Sequence, residues 1–198
     1  ADVYDIGNHH LPSAPRARLG EALARICGGS LRYSVFAASG SEANDIAIKT
    51  ARRATGRRRI VSLEGSYHGH TGLCLAAGDV RNAQYFLSDG PPTEFVQLPF
   101  NDLDAMANAL RGGDVAAVLL ETIPATYGFP MPRPGYLSGV KTLCEETGAL
   151  FVADEVQTGL GRTGRMWAIE GYGVEPDILV TGKGLSGGMY PIAAAVLS

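Results

Sequence analysis

The feature that most constrains this chain is an alternation: short apolar runs, most followed by a stretch with helical spacing. Candidate strands are Tyr33–Ala37, Arg59–Leu63, Phe95–Leu98, Val115–Leu120, Leu150–Ala153, Ile178–Val180 and Ile192–Leu197. Candidate helices are Pro15–Ile26, Ser41–Ala54, Leu103–Leu110 and Tyr136–Thr147. Several of the strands are nearly unbroken in Val, Ile, Leu and Ala, as expected where both faces of a sheet are covered. The pattern predicts an α/β fold, three layers deep (α/β/α), around a mostly parallel sheet of about seven strands. Ligands of such sheets sit outside the carboxyl ends of the strands. The last run differs from the others. Only a glycine-rich loop separates Val180 from Ile192, too short for a helical crossover, so Ile192–Leu197 should pair antiparallel with the preceding strand.

Composition narrows the function classes. The chain has 198 residues, of which 45% are hydrophobic and 19% charged, which fits one large globular domain and not a disordered segment. The net charge is −3, and Arg57-Arg58-Arg59, a run of only three, reads as a solvated turn, so nothing argues for nucleic acid. Cys27, Cys74 and Cys144 lack CxxC spacing and are odd in number, which favours free thiols in a reducing compartment. No stretch approaches the ~18 uninterrupted apolar residues of a membrane span. The start, Ala1–Asp5, lacks a signal-peptide pattern, so the expected location is cytoplasmic. Pro91-Pro92 and Pro130–Pro134 are expected to mark surface loops.

Four groups of residues could carry chemistry. The chain's lysines are Lys49, Lys141 and Lys183. The first two lie within predicted helices and read as solvated. Lys183 directly follows an apolar strand and precedes Gly184-Leu185-Ser186-Gly187-Gly188. A lysine at that edge, if partly desolvated, can serve as an amine nucleophile; a capping lysine in a surface turn is the plainer alternative. Asp154-Glu155 ends another buried strand, where a carboxylate needs a donor or a positive partner such as a protonated pyridine nitrogen. A helix-capping or metal-binding acid is the alternative, and with no His or Cys cluster beside it no metal site is assigned. Ser39–Asn44 sits at a strand-to-helix junction, with Ser41 a plausible N-cap and Gly40 allowing close backbone approach. That corner suits either an anion or a plain helix start. Tyr67-His68-Gly69-His70 offers an aromatic ring that could stack on a flat ligand, or a loop with a packed tyrosine.

Taken together, Ser39–Asn44 (SGSEAN), Tyr67–Gly69 (YHG), Asp154–Gly164 (DEVQTGLGRTG) and Thr181–Pro191 (TGKGLSGGMYP) resemble the class III aminotransferases of pyridoxal-phosphate fold type I. Ornithine, acetylornithine, putrescine and 4-aminobutyrate aminotransferases belong to that group. The resemblance covers almost the whole chain. It implies that Lys183 holds pyridoxal 5'-phosphate as a Schiff base and shuttles a proton, and that Asp154 pairs with the pyridine nitrogen. It further implies that Gln157 contacts the phenolic oxygen, that Val156 and Tyr67 cover the two ring faces, and that the Gly40 and Ser41 backbone holds the phosphate. Glu121 matches the first acid of the family's E-P-x-x-G-E-G segment, and His68 matches its motif without an assigned role. The implied reaction moves an amino group from an amino acid or amine to a 2-oxo acid, in a homodimer or larger assembly.

The chain also departs from the family. Thr126 stands where the second glutamate of E-P-x-x-G-E-G is common, a residue that in several ω-amino-acid members masks a substrate-binding arginine. The resemblance therefore does not carry ornithine- or 4-aminobutyrate-like specificity. Asp5–His10 resembles a family segment that usually leads into another helix, whereas Leu11-Pro12 follows at once here. Residues 1–198 are thus read as the cofactor-binding large domain, with a partial N-terminal segment and without the C-terminal small domain. Two alternatives stay open: an aminomutase of the glutamate-1-semialdehyde type, which Leu63–His70 also resembles, and a non-catalytic domain that keeps the fold. An NAD-type dehydrogenase is disfavoured because no GxGxxG follows a strand.

Overall fold

The computed structural model describes residues 13–85 and 93–198, so Asp5–His10 and Pro91-Pro92 lie outside the described residues. The strands are β1 (Tyr33–Ala37), β2 (Arg59–Leu63), β3 (Phe95–Leu98), β4 (Val115–Glu121), β5 (Leu150–Asp154), β6 (Ile178–Thr181) and β7 (Ala193–Leu197). They form one sheet in the order β1-β7-β6-β5-β4-β2-β3. All run parallel except β7, which is antiparallel to both of its neighbours, β6 and β1. The expected fold class is therefore present. Burial follows position in the sheet: every residue of β4 is buried, while the edge strands β1 and β3 are largely half-exposed.

The helices are α1 (Ala14–Cys27), α2 (Gly40–Thr55), α3 (Gly72–Ala77), α4 (Val80–Tyr85), α5 (Leu103–Leu110) and α6 (Tyr136–Thr147). Helices α1, α5 and α6 bury Leu23, Met106, Leu110, Leu137 and Val140 against Val118, Leu120, Phe151 and Ala153 on one sheet face. Helix α2 buries Ala43, Ala47, Ile48 and Ala51 against Ala117, Leu119, Val152 and Val180 on the other. Alanines four apart let α2 lie close to the sheet. Pleat alternation then decides where the strand-end acids point. Ala117 and Leu119 face α2, so Glu121 does too; Val152 faces α2, so Asp154 does too. Glu121 and Asp154 are direct register partners, which sets two carboxylates side by side beneath one helix.

Three expectations about polar residues need correction. Ser39, not Ser41, caps α2: its Oγ accepts from Glu42 N at 3.2 Å, while Glu42 Oε2 accepts from Ala38 N at 2.8 Å. Lys141 is not solvated. Its Nζ donates to Asp177 Oδ1 at 2.9 Å and lies 3.5 Å from Glu145, and Asp177 Oδ2 accepts from Phe151 N at 2.7 Å, which ties α6 to the start of β5. Burial lowers the proton affinity of that amine, but Asp177 and Glu145 together more than offset the effect. Nor is Arg57–Arg59 a free turn. Arg57 Nη1 donates to the carbonyls of Val115 and Thr147 at 3.1 and 2.8 Å, and Arg59 opens β2. The three cysteines are free, and burial pushes the thiols of Cys74 and Cys144 up to about 11 and about 12.

Candidate active site

The chain turns from strand to loop or helix at the carboxyl ends of β1, β2, β4, β5 and β6, and these turns line one cavity of about 320 Å³. Its walls hold Gly40, Ser41, Tyr67, His68, Glu121, Asp154, Val156, Gln157 and Lys183. The residues for which the resemblance implies a cofactor contact, with Glu121 and His68, thus line one cavity. The structure adds Asn44, Ala125 and Thr126 to the lining. A larger open groove of about 850 Å³ runs along β1 and α1 but is lined by no carboxylate and no lysine. Size alone would point to the wrong place.

Asp154 is 3% exposed and fully engaged on one side. Its Oδ2 accepts from Asn44 Nδ2 and pairs with His68 Nδ1, both at 2.8 Å, and its Oδ1 accepts from Val156 N at 3.0 Å. An ionised carboxylate can only accept, so His68 carries its proton on Nδ1. A carboxylate has roughly four lone-pair sites, and three are used. The remaining site is on Oδ1. Glu155, the next residue, points the other way and is 1% exposed. It accepts from Thr122 and Thr158 hydroxyls at 2.6 and 2.7 Å, and from Ala168 and Ile169 N at 3.0 and 2.9 Å. Burial raises its proton affinity and those four donors oppose the rise. Glu155 therefore fastens the Val156–Trp167 loop in place.

Glu121 is also buried. Its Oε1 accepts from Tyr67 N at 3.0 Å and its Oε2 from Ala125 N at 3.1 Å, so it clamps the turn that carries the Tyr67 ring. Burial pushes its carboxyl above the ordinary glutamate range; His68 opposes this and Asp154 adds to it. A folded-state pKa above the unfolded one means the native state binds more protons between the two values. Stability is then full below the ordinary glutamate pKa of about 4.3 and is lost as pH rises through the raised value. In Glu121→Gln that decline should be absent. Urea unfolding at a series of pH values should therefore show the variant's deficit against the parent narrowing as pH rises. A deficit that does not change with pH would mean that burying Glu121 costs nothing.

Lys183 lies at the mouth with a backbone φ of 40°, in the left-handed region that non-glycine residues rarely enter. It is exposed, so the partial desolvation expected of it is not supplied by the surrounding side chains. Helix α2 presents its N-terminus to the same cavity. Ser39 satisfies the N–H groups of Glu42 and Ala43, and helix geometry leaves those of Gly40 and Ser41 without an intrahelical acceptor. Close approach there depends on glycine: a Cβ on Gly40 would lie 2.9 Å from Val156 Cγ1, and one on Gly69 2.0 Å from Ser41 Oγ. The donor set is thus an anion-binding helix end, an acceptor with one free lone pair and a primary amine, with an aromatic ring at the rim. A flat, phosphorylated aldehyde with a protonated ring nitrogen, such as pyridoxal phosphate, suits all of these.

Residues 4–198 match the family model for class III aminotransferases. The chain belongs to that family. Members of the class III aminotransferases are pyridoxal-phosphate enzymes of fold type I. The chain is 53% identical over 193 residues to an uncharacterized aminotransferase of Archaeoglobus fulgidus, covering 98% of this chain and 45% of that protein. It is 39% identical over 183 residues to the aminotransferase PigE of a Serratia species, covering 91% of this chain and 21% of that one. Among solved structures, a transaminase from a marine Virgibacillus superposes with a TM-score of 0.88 at 30% identity, covering 96% of this chain and 46% of that one. The taurine:2-oxoglutarate aminotransferase of Bifidobacterium kashiwanohense, solved with PLP and glutamate, superposes at 0.86 with 33% identity, covering 96% and 48%. The chain thus spans less than half the length of each of these proteins.

Thr126, which replaces the family's second glutamate, faces the cavity and donates from Oγ1 to Gly65 O at 2.6 Å. That carboxylate is therefore absent from this wall, and the hydroxyl in its place is turned to the backbone. No described helix is long and apolar enough to cross a membrane.

Proposed function

We propose that the chain forms the cofactor-binding part of a pyridoxal-phosphate aminotransferase that moves an amino group from an amino acid or amine to a 2-oxo acid. The observation that carries this is the opening of Lys183, Asp154 and the N-terminus of α2 onto a single cavity. Bound there, pyridoxal phosphate supplies the electron sink that makes a donor's α-proton removable and its amino group exchangeable.

Each residue then has a task. The Gly40 and Ser41 N–H groups take the phosphate, with the positive end of the α2 dipole behind them. The free lone pair of Asp154 Oδ1 would accept from the ring nitrogen and favour its protonated form, because an adjacent carboxylate favours the cation. Val156 and Tyr67 would cover the two ring faces, and Gln157 would donate to the phenolic oxygen. Glu121 acts through Tyr67, whose backbone it holds. The Lys183 amine would hold the cofactor and would take the proton from the donor's Cα. The working assembly we propose is a homodimer.

The chain's lysines make the test sharp. After incubation with pyridoxal phosphate, reduction with borohydride and digestion, the cofactor's mass should sit on the peptide holding Lys183. Label on Lys49 or Lys141 instead, or no label above a denatured control, would overturn the reading.

A further inference from the structure

Asn44 closes the Ser39–Asn44 motif, where the sequence alone assigns it no role, yet it joins three parts of the site. It is 1% exposed and lies one helical turn below Gly40, on the same side of α2. Its Nδ2 donates to His68 O at 2.9 Å and to Asp154 Oδ2 at 2.8 Å. Both acceptors lack a proton to give, so the amide orientation is fixed: the flipped form would set oxygen against oxygen. Its Oδ1 is buried without a hydrogen bond, as is His68 Nε2. Leaving an acceptor unpaired costs free energy that an apolar side chain would avoid. Packing alone therefore does not account for an asparagine here; its two donated hydrogen bonds do.

We infer that Asn44 is a positioning residue for the cofactor: it locks the Asp154 carboxylate so that its one free lone pair points into the cavity. The inference rests on the pyridoxal-phosphate reading. With Asn44 and His68 both on Oδ2, and Val156 N on Oδ1, rotation of the carboxylate would break three hydrogen bonds at once. The same amide ties the turn bearing Tyr67 to α2 through the His68 carbonyl. Helix α2 thereby sets the phosphate end, the ring-nitrogen end and one stacking face from a single rigid element.

A double-mutant cycle in the full chain tests this, read as the dissociation constant for pyridoxal phosphate by equilibrium dialysis. Asn44→Leu in the parent should weaken binding about tenfold, and by less than about twofold where Asp154→Asn is already present, since coupled residues are not additive. With ¹⁵N-labelled cofactor, the parent should keep a protonated ring nitrogen up to a higher pH than Asn44→Leu does. A purely structural role would lower affinity by the same factor in both backgrounds and leave the nitrogen's titration unmoved; that result overturns the inference. If Asn44→Leu fails to fold, by circular dichroism, Asn44→Ser enters the same cycle with the same criteria. A parent chain that binds no pyridoxal phosphate would instead overturn the cofactor reading, and this inference with it.

Discussion

Lys183→Ala should lower amino-group transfer by about 10⁴-fold or more in the full chain, measured with a saturating donor. Two tasks fall to the Lys183 amine, holding the cofactor and moving the donor's α-proton, and no other lysine lines the cavity. Lys49 is exposed along α2, and Lys141 is paired with Asp177 and Glu145. Lys183→Arg should be equally inactive. Its guanidinium keeps the charge and most of the length, but with a pKa above about 12 it offers no free amine. A rate above a tenth of the parent's in either variant would remove Lys183 from the chemistry. Stability should move the other way. The left-handed φ of 40° at Lys183 stores strain on the order of 1–3 kcal/mol, and the side chain is exposed, so little packing is lost on truncation. Lys183→Gly should therefore be as inactive as Lys183→Ala and more stable by about 1 kcal/mol in denaturant unfolding. A residue whose removal stabilises the fold and stops the reaction is held in place for function.

Much of this site was legible because strand ends are legible. An apolar run stops where the sheet stops, so Glu121, Asp154 and Lys183 could be placed at its ligand-bearing edge from the runs before them. The reversal of β7 followed from a loop too short for a helix. Its pairing with β6 followed too; its pairing with β1 did not, because pairing order is set by contacts far apart in sequence. The two six-residue helices α3 and α4 carry too few turns to show a period. The Ser39 cap does have a signal: Ser39 followed three residues later by Glu42 is a capping pattern. Asn44, Lys141 and Arg57 were misjudged or missed for a common reason. Each looks like an ordinary helix or turn residue until partners 24 to 110 positions away fold against it. Glu155 is told from Asp154 in the sequence only by the family resemblance, because the pleat decides which of two adjacent acids faces the cavity.

That distinction yields the second large effect. Asp154→Asn should lower turnover by about 10²–10³-fold, the usual scale for losing one preorganised electrostatic partner. The amide keeps the size but not the acceptor pattern. With its oxygen toward Asn44 and His68, its nitrogen meets the Val156 N–H, donor against donor, and nothing is left to accept from a ring nitrogen. The neighbouring change, Glu155→Gln, should do the reverse. It leaves the cavity wall intact but sets an amide against two of four donors, costing about 2–3 kcal/mol of stability while turnover stays within about tenfold. Measured together, turnover and denaturant midpoint should therefore move in opposite order for the two acids. If Glu155→Gln lost more turnover than Asp154→Asn, the assignment of cofactor partner and loop anchor would be inverted. The pleat makes that inversion hard to accommodate, since Asp154 shares with Val152 the face packed beneath α2, and Glu155 turns from that face to receive Thr122, Thr158 and the backbone at Ala168 and Ile169.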